Sequence, residues 1–227
     1  MSTPATSAVR APASRGSLAF YRVARALVVG FFRIWSRLTV EGREHVPTRG
    51  PFIVAPVHRS NVDTPITGAV STRRLRFMGK DSLWGSAAMG WFLSALGGFP
   101  VVRGTADREA LRRCMEVLEG GEPLVLFPEG TRQSGPLVQP LFDGTAYLAC
   151  RCRVPIVPVG IGGSERVMPK GASLVYPRKV HLIVGEPIEP PVDAEGRVPR
   201  RAVKELTERL HATLQQLFDE AQIKAGA

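Results

Sequence analysis

Apolar runs bounded by proline and glycine, alternating with segments of helical period, predict an α/β fold: a mostly parallel central sheet with helices on both faces. Three observations carry this. Residues 51–57, 123–127 and 156–161 are short apolar runs of strand length. Between such runs lie helical segments, for example residues 106–118 with Leu111, Met115 and Leu118 on one face. The chain of 227 residues, 44% hydrophobic and 22% charged, suits one globular domain with a few appended elements.

Taken in order, residues 1–16 are small, polar and proline-containing, and are expected to be a disordered tail. Residues 17–45 form an amphipathic helical element. At about 100° per residue, Phe20, Ala24, Leu27, Phe31, Trp35 and Leu38 fall on one stripe. Arg15, Arg22, Arg33 and Arg37 fall opposite, with Arg25 at the margin. Aromatic residues facing arginines describe a helix that lies in a membrane interface. The alternative is a helix that packs on the domain's own core and exposes an arginine-rich face.

Residues 46–227 form the α/β domain. Strands are expected at 51–57, 75–78, 99–102, 123–127, 156–161 and 180–184, the last closing the sheet. Helices are expected from 65 to 70, 106 to 118 and 144 to 152. A final amphipathic helix carries Val203, Leu206, Leu210, Leu214 and Leu217. Pro155 and Pro158 lack the donor a sheet ladder requires, so residues 154–160 are expected to be an edge strand or one wall of an apolar tunnel.

The net charge is +10, and its placement is uneven. The first fifty residues hold eight arginines against Glu41 and Glu44. That surplus points to an anionic partner such as headgroups, nucleic acid or a phosphorylated substrate. No aromatic–basic block or zinc-finger spacing supports nucleic acid. Cys114, Cys150 and Cys152 form no zinc pattern and are expected to be structural thiols in a reducing compartment. No run reaches the roughly 18 to 20 apolar residues of a spanning helix. Residues 26–32 have arginines on both sides and no cleavage site after them, unlike a secretory leader.

Two segments carry chemistry. His58 ends one apolar run and Asp63 follows five residues later, at the turn into a helix. A carboxylate folded back onto one imidazole nitrogen fixes the tautomer and leaves the other nitrogen free to take a proton. Asp63 or Thr64 is also suited to capping the helix at Pro65. The second segment is Phe127-Pro128-Glu129-Gly130-Thr131-Arg132, after Leu124-Val125-Leu126. Gly130 permits close backbone approach and Arg132 offers a fork to phosphate. Glu129 either binds a substrate hydroxyl or orients Arg132 through an ion pair. Arg103, after Gly97-Gly98-Phe99-Pro100-Val101-Val102, adds a second arginine at a strand end, and Lys80 is a further cation.

Jointly, in this order and at these separations, the segments from Pro51 to Pro187 resemble the glycerophospholipid acyltransferase family. Its members include the 1-acylglycerol-3-phosphate O-acyltransferases, also called lysophosphatidic acid acyltransferases. His58 with Asp63 matches the family's His-x-x-x-x-Asp motif. Gly98 to Arg103 matches its second block, Phe127 to Arg132 its third, and Val154 to Val159 its proline-bearing fourth. Many members carry asparagine where this chain has Val57, which bears on acceptor subtype.

The resemblance implies that His58 deprotonates the free hydroxyl of a lysophospholipid, which attacks an acyl-coenzyme A or acyl-carrier-protein thioester. It implies no cofactor beyond that co-substrate, no metal and no covalent enzyme intermediate. Arg103, Arg132, Gly130 and Thr131 would hold the acceptor phosphate, Glu129 would position its glycerol, and Lys80 would contribute. The expected setting is the cytoplasmic face of the membrane, bound peripherally or monotopically to anionic lipid. Alternatives are the same chemistry on glycerol 3-phosphate, another lysophospholipid or a glycolipid, and a non-catalytic lipid-binding module.

Overall fold

The computed structural model describes residues 14–101, 107–169, 171–191 and 198–227. Along the chain run α1 (Arg15–Trp35), β1 (Thr39–Glu41), β2 (Ile53–Pro56), α2 (Asp63–Thr67), β3 (Arg76–Lys80), α3 (Ala87–Ala95) and β4 (Gly98–Val101). There follow α4 (Asp107–Glu119), β5 (Leu124–Val125), α5 (Gly144–Cys152), β6 (Ile156–Gly162), α6 (Ser164–Val167), β7 (His181–Val184) and α7 (Arg200–Ala225). Single 3-10 turns occur at Arg43–His45 and Asp81–Trp84.

Among the described residues seven strands form one sheet, in the order β1-β7-β6-β2-β5-β3-β4. Every neighbouring pair is parallel except β6–β7. Helices α4, α5 and α7 pack on one another against one face, and α1, α2 and α3 form the second layer. Residue alternation along β3 sets the two faces: Met78 meets Cys114 of α4, while Gly79 meets Trp84 below α3. The expected α/β sandwich is therefore what the chain forms.

Helix α7 presents Val203, Leu206, Leu210, Leu214, Phe218, Ala221 and Ala225 to the core. That spacing of three and four residues is a single helical stripe. It meets β6 at Gly160 and Gly162, where any Cβ would collide with the carbonyls of Leu217 and Ala221. The two glycines let helix and strand backbones touch. Leu217, expected on the buried stripe, is half-buried and its place is taken by Phe218.

Several expectations change. Helix α1 starts at Arg15, because the Ser14 hydroxyl caps it by accepting the Ser17 N–H at 3.1 Å. The rest of the expected tail, residues 1–13, lies outside the described residues. The α/β unit also begins before residue 46, since β1 pairs with β7 through Thr39, Val40 and Glu41. Strand β7 accordingly does not close the sheet: β1 lies beyond it.

Strand β6 is internal rather than an edge, flanked by β2 and β7. Pro158 is tolerated because its carbonyl faces the β7 side, accepting from Gly185 at 2.9 Å just past the end of that strand. The missing donor falls in the gap between the β6–β7 ladder, which ends at Val159–Val184, and the Ile156–Ile188 bridge. Helix α3 and strand β1 were not legible as elements in the sequence: α3 is apolar nearly all round and β1 has three residues.

Helix α1 has two apolar sides. Tyr21, Val29 and Phe32 are buried against the domain. The Tyr21 hydroxyl donates to the Arg73 carbonyl at 3.3 Å, and Arg25 Nε donates to the Gly68 carbonyl at 2.7 Å. On the other side Val23, Leu27 and Ile34 are 60%, 69% and 85% exposed, beside Phe31 and Trp35. The expected exposed stripe is thus partly redrawn. Leu38 is buried, and Phe20 is half-buried against Trp91 and Phe92 of α3, at ring distances of 5.3 and 6.0 Å. Cys114 and Cys150 are buried free thiols and Cys152 is half-buried, as structural cysteines would be.

Candidate active site

Strand β2 is buried along its whole length and delivers His58 just past its carboxyl end, where ligand sites of open α/β sheets collect. The following turn folds Asp63 back underneath. One oxygen of its fully buried carboxylate accepts from His58 Nδ1 at 3.0 Å and from the backbone N–H groups of Arg59 and Ser60, each at 2.6 Å. The carboxylate thus builds the turn as well as orienting the ring. It does not cap α2: no side chain caps that helix, whose N-cap position is Val62.

With Nδ1–H given to Asp63, the Nε2 lone pair of His58 is the one available to a proton. Nε2 makes no hydrogen bond among the described residues. The imidazole stacks on Phe127 with centroids 4.0 Å apart and planes 23° apart. Its side chain is 16% exposed, so one edge opens to the surface.

Glu129 does not orient Arg132 as expected; its ion pair is with Arg59. It is 2% exposed and turned inward. Its oxygens accept the His58 N–H at 3.0 Å, the Gln139 N–H at 3.0 Å and Arg59 Nη1 at 2.8 and 2.9 Å. With these donors on it the carboxylate holds the His58 loop, and its ion-pair partner is Arg59, not Arg132. Arg59 was not recognised in the sequence. An arginine beside a histidine reads as a solvated charge, yet here it is 3% exposed, lies over the Phe218 ring at 4.7 Å and donates to the Leu137 carbonyl at 3.1 Å.

Gly130 sits at φ +72°, a left-handed conformation that glycine adopts without a steric cost, and a Cβ there would reach the Phe142 ring at 2.6 Å. Thr131 and Arg132 are exposed beside it, and the Gln133 N–H ties this loop to the His58 carbonyl at 2.9 Å. The structure therefore brings His58, Asp63, Glu129, Gly130, Thr131 and Arg132 into one loop cluster. Lys80 is exposed at the end of β3, two strands from β2 across β5. Arg103 lies outside the described residues.

Of two apolar cavities, the first is lined by Phe127 and Gly130 and the second by Thr64 and Pro65, and Met78 borders both. One, of about 550 Å³, lies between α4, α5 and the Phe127–Gly130 segment, with Cys114, Phe142 and Leu148 in its wall. The other, of about 330 Å³, lies between α1, α2 and the β3–α3 segment, with Tyr21, Val28, Pro65, Trp84 and Leu96 in its wall. Burial pushes the Cys114 thiol up to about 12, so it lines the first cavity as a neutral apolar group. Among the described residues no three histidine, cysteine, aspartate or glutamate side chains converge as a metal site.

Comparison with known proteins places this geometry. The family model described as Acyltransferase matches residues 37–162, and so includes both the His58 and the Glu129 loops. A chloroplastic 1-acyl-sn-glycerol-3-phosphate acyltransferase of Brassica napus is 28% identical over 66% of this chain, although the match spans only 44% of that protein. The 1-acyl-sn-glycerol-3-phosphate acyltransferase of Bacillus subtilis is 27% identical over 78% of this chain and 86% of its own. The crystal structure of the 1-acyl-sn-glycerophosphate acyltransferase PlsC from Thermotoga maritima superposes with a TM-score of 0.69. It is 26% identical and the match covers 90% of this chain and 87% of that one.

Proposed function

The chain belongs to the acyltransferase family, and on that premise we propose that it transfers a fatty acyl group from an acyl thioester to the free hydroxyl of a lysophospholipid, with 1-acylglycerol 3-phosphate as acceptor and phosphatidic acid as product. The observation that carries the reading is the His58–Asp63 pair, held at 3.0 Å with Nε2 free at the carboxyl end of β2. The relatives named for this reaction support the acceptor.

In this scheme Nε2 of His58 takes the proton of the acceptor hydroxyl while Asp63 stabilises the imidazolium that forms. The oxygen bonds to the thioester carbonyl carbon, the carbon–sulfur bond breaks, and the departing thiolate receives the proton from His58. The acceptor phosphate lies against Arg132 and Lys80, exposed cations that have no ion-pair partner among the described residues. Arg103 is assigned there by its place in the motif alone. Thioester and lysolipid each carry an acyl chain, and of the two apolar cavities one is lined by Phe127, on which the His58 ring stacks, and the other by Thr64 and Pro65, which follow Asp63 in the chain. Coenzyme A and acyl-carrier protein are both admitted as donors.

Both lipids reach the site from a bilayer, which the open face of α1 would meet. No described helix is long and apolar enough to cross a membrane. Val23, Leu27, Phe31, Ile34 and Trp35 on α1 continue into Met89, Trp91 and Phe92 on α3, and form an exposed apolar surface suited to interfacial docking. The test is conversion of 1-acylglycerol 3-phosphate to phosphatidic acid by the purified chain with an acyl-CoA or acyl-carrier-protein donor. Activity abolished by His58→Ala supports the reading. No turnover with either donor overturns it.

A further inference from the structure

A hollow far from His58 gathers arginines with no acid to balance them. It has a volume of about 180 Å³ and lies between α1, the 46–48 segment and the 69–73 segment. Those segments precede β2 and β3, whereas His58 follows β2, so the hollow is at the opposite end of the sheet from the dyad. Arg25, Arg43 and Arg73 line it, with Thr48, Ser71 and Thr72.

Each arginine is positioned rather than loose. Arg25 Nε is fixed on the Gly68 carbonyl, which leaves its two terminal nitrogens. Arg73 is fixed on the Gly50 and Gly121 carbonyls at 2.5 and 3.0 Å and lies over the Phe52 ring. Arg43 Nε is fully buried and has no hydrogen-bond partner. Such an orphaned charged donor is costly in a folded protein.

The charges are uncompensated. Among the described residues no ion pair uses Arg25, Arg33, Arg43 or Arg73. The one carboxylate that Arg73 feels, Glu122, is bridged by Arg74 and Arg76. Burial pulls the Arg43 guanidinium below its ordinary range, and the like charges of Arg33 and Arg25 add to it. Burial, then Arg33, acts on Arg25 in the same direction, with only Tyr21 opposing.

We infer that this hollow is an anion site for a phosphate dianion, separate from the active centre. A dianion would accept from the free nitrogens of Arg25 and Arg43, relieve their mutual repulsion, and clamp α1 to the turn at Arg43 and the segment before β3. Inorganic phosphate and the phosphomonoester headgroup of a lipid share that chemistry. Arg25 and Arg33 sit on α1, the element that carries the open apolar face, so occupancy would be coupled to how firmly that helix is held.

The test uses the full chain at constant ionic strength. Melting temperature is followed against inorganic phosphate, with sodium chloride as control. α1 amide exchange is followed on phosphatidylcholine vesicles containing either phosphatidic acid or phosphatidylglycerol at equal surface charge. A phosphate-dependent rise in melting temperature identifies the free ion as ligand. Protection of α1 by phosphatidic acid over phosphatidylglycerol, without a phosphate response, identifies the headgroup.

In either case Arg43→Gln should raise the apparent dissociation constant about tenfold or more, as expected for one lost charged hydrogen bond. Arg43→Lys, which keeps the charge and loses the fork, should fall between. Arg132→Ala should leave the response in place, which separates the hollow from the acceptor site. Arg22→Gln, the same charge loss on α1 outside the hollow, should also leave it. Absence of both responses, or their equal loss in Arg22→Gln or Arg132→Ala, overturns the inference.

Discussion

The carboxylate of Glu129 accepts the backbone N–H of His58 at 3.0 Å, although 71 residues separate them in the chain. The same carboxylate carries both contacts to Arg59. The loop after β5 therefore acts as a clamp on the loop after β2, and Glu129 is a positioning residue. Glu129→Gln keeps the shape but leaves the Arg59 guanidinium buried without its counter-charge. Breaking a buried pair in this way costs about 3–5 kcal/mol. Urea unfolding should show a loss of that order, and kcat should fall with KM for the acceptor little changed. A variant that loses acceptor affinity but keeps wild-type stability would return Glu129 to the substrate-binding role.

His58 and Asp63 should separate by stability, not by activity. Removal of a general base reduces the chemical step by about 10²–10⁴-fold, and both His58→Ala and Asp63→Asn should show it. The His58 ring contributes mainly its stack on Phe127 and one hydrogen bond. Asp63 also receives the N–H groups of Arg59 and Ser60 on the same oxygen, so an amide in its place either turns its donor towards those donors or buries it at the Oδ1 position, which has no partner. Asp63→Asn should thus lower the melting temperature clearly more than His58→Ala. Equal melting temperatures would mean that the turn does not depend on the carboxylate.

This division of labour explains what could be read from the sequence. The dyad was legible because both partners lie within one turn, and the α/β sheet because its strands are nearly all apolar. Helix α5 was legible to the residue. The role of Glu129 was not, because its partner Arg59 is far off in sequence and nothing local distinguishes a buried arginine from a solvated one. The internal place of β6 is not legible because proline argues against an internal strand unless its missing donor meets a gap in the neighbouring pairing, and that depends on where β7 stops. The helical period alone marks an aromatic, apolar side on α1, but tertiary packing hides Leu38 and brings out Val23 and Ile34.

Docking is best tested by point charges on α1. The sequence alone suggests deleting residues 1–40, but that would also remove the buried Tyr21, Val29 and Phe32 and part of β1. Leu27 and Ile34 are 69% and 85% exposed, so Leu27→Glu with Ile34→Glu should leave the unfolding free energy within about 0.5 kcal/mol of wild type, the usual span for surface changes. Sedimentation with anionic liposomes should fall sharply, since each carboxylate opposes both apolar burial and the surface potential. Unchanged sedimentation would leave α1 without a membrane role.

Cys114 supplies a pH dependence. Burial raises its folded-state ionisation to about 12, above the ordinary thiol range near 9. The contribution to stability is fully present below the unfolded value and is lost as pH rises from about 9 towards 12, because only the unfolded chain ionises there. Urea midpoints of the wild type should decline more steeply between pH 8 and 10.5 than those of Cys114→Ala. Native protein at pH 8 should also resist iodoacetamide at this position. Rapid native alkylation would show that the cavity beside Leu111 and Leu148 opens to solvent.

Trp84 controls the depth of the cavity between α1 and α3. Its Nε1 donates to the Ser94 hydroxyl at 3.1 Å, and the ring occupies a recess made by three glycines. A Cβ would reach the indole at 2.7 Å from Gly79, 3.2 Å from Gly98 and 3.3 Å from Gly90. If this cavity holds an acyl chain, Trp84→Ala lengthens it and Gly79→Ala, by pushing the indole inward, shortens it. Pockets of this kind discriminate by about 1–3 kcal/mol per methylene, so the kcat/KM ratio of long over short acyl donors should rise several-fold in Trp84→Ala and fall in Gly79→Ala. Opposite shifts in the two variants distinguish a change in pocket length from general destabilisation, which would lower every donor alike. An unchanged ratio in both would assign the donor chain to the other cavity, beneath Phe127.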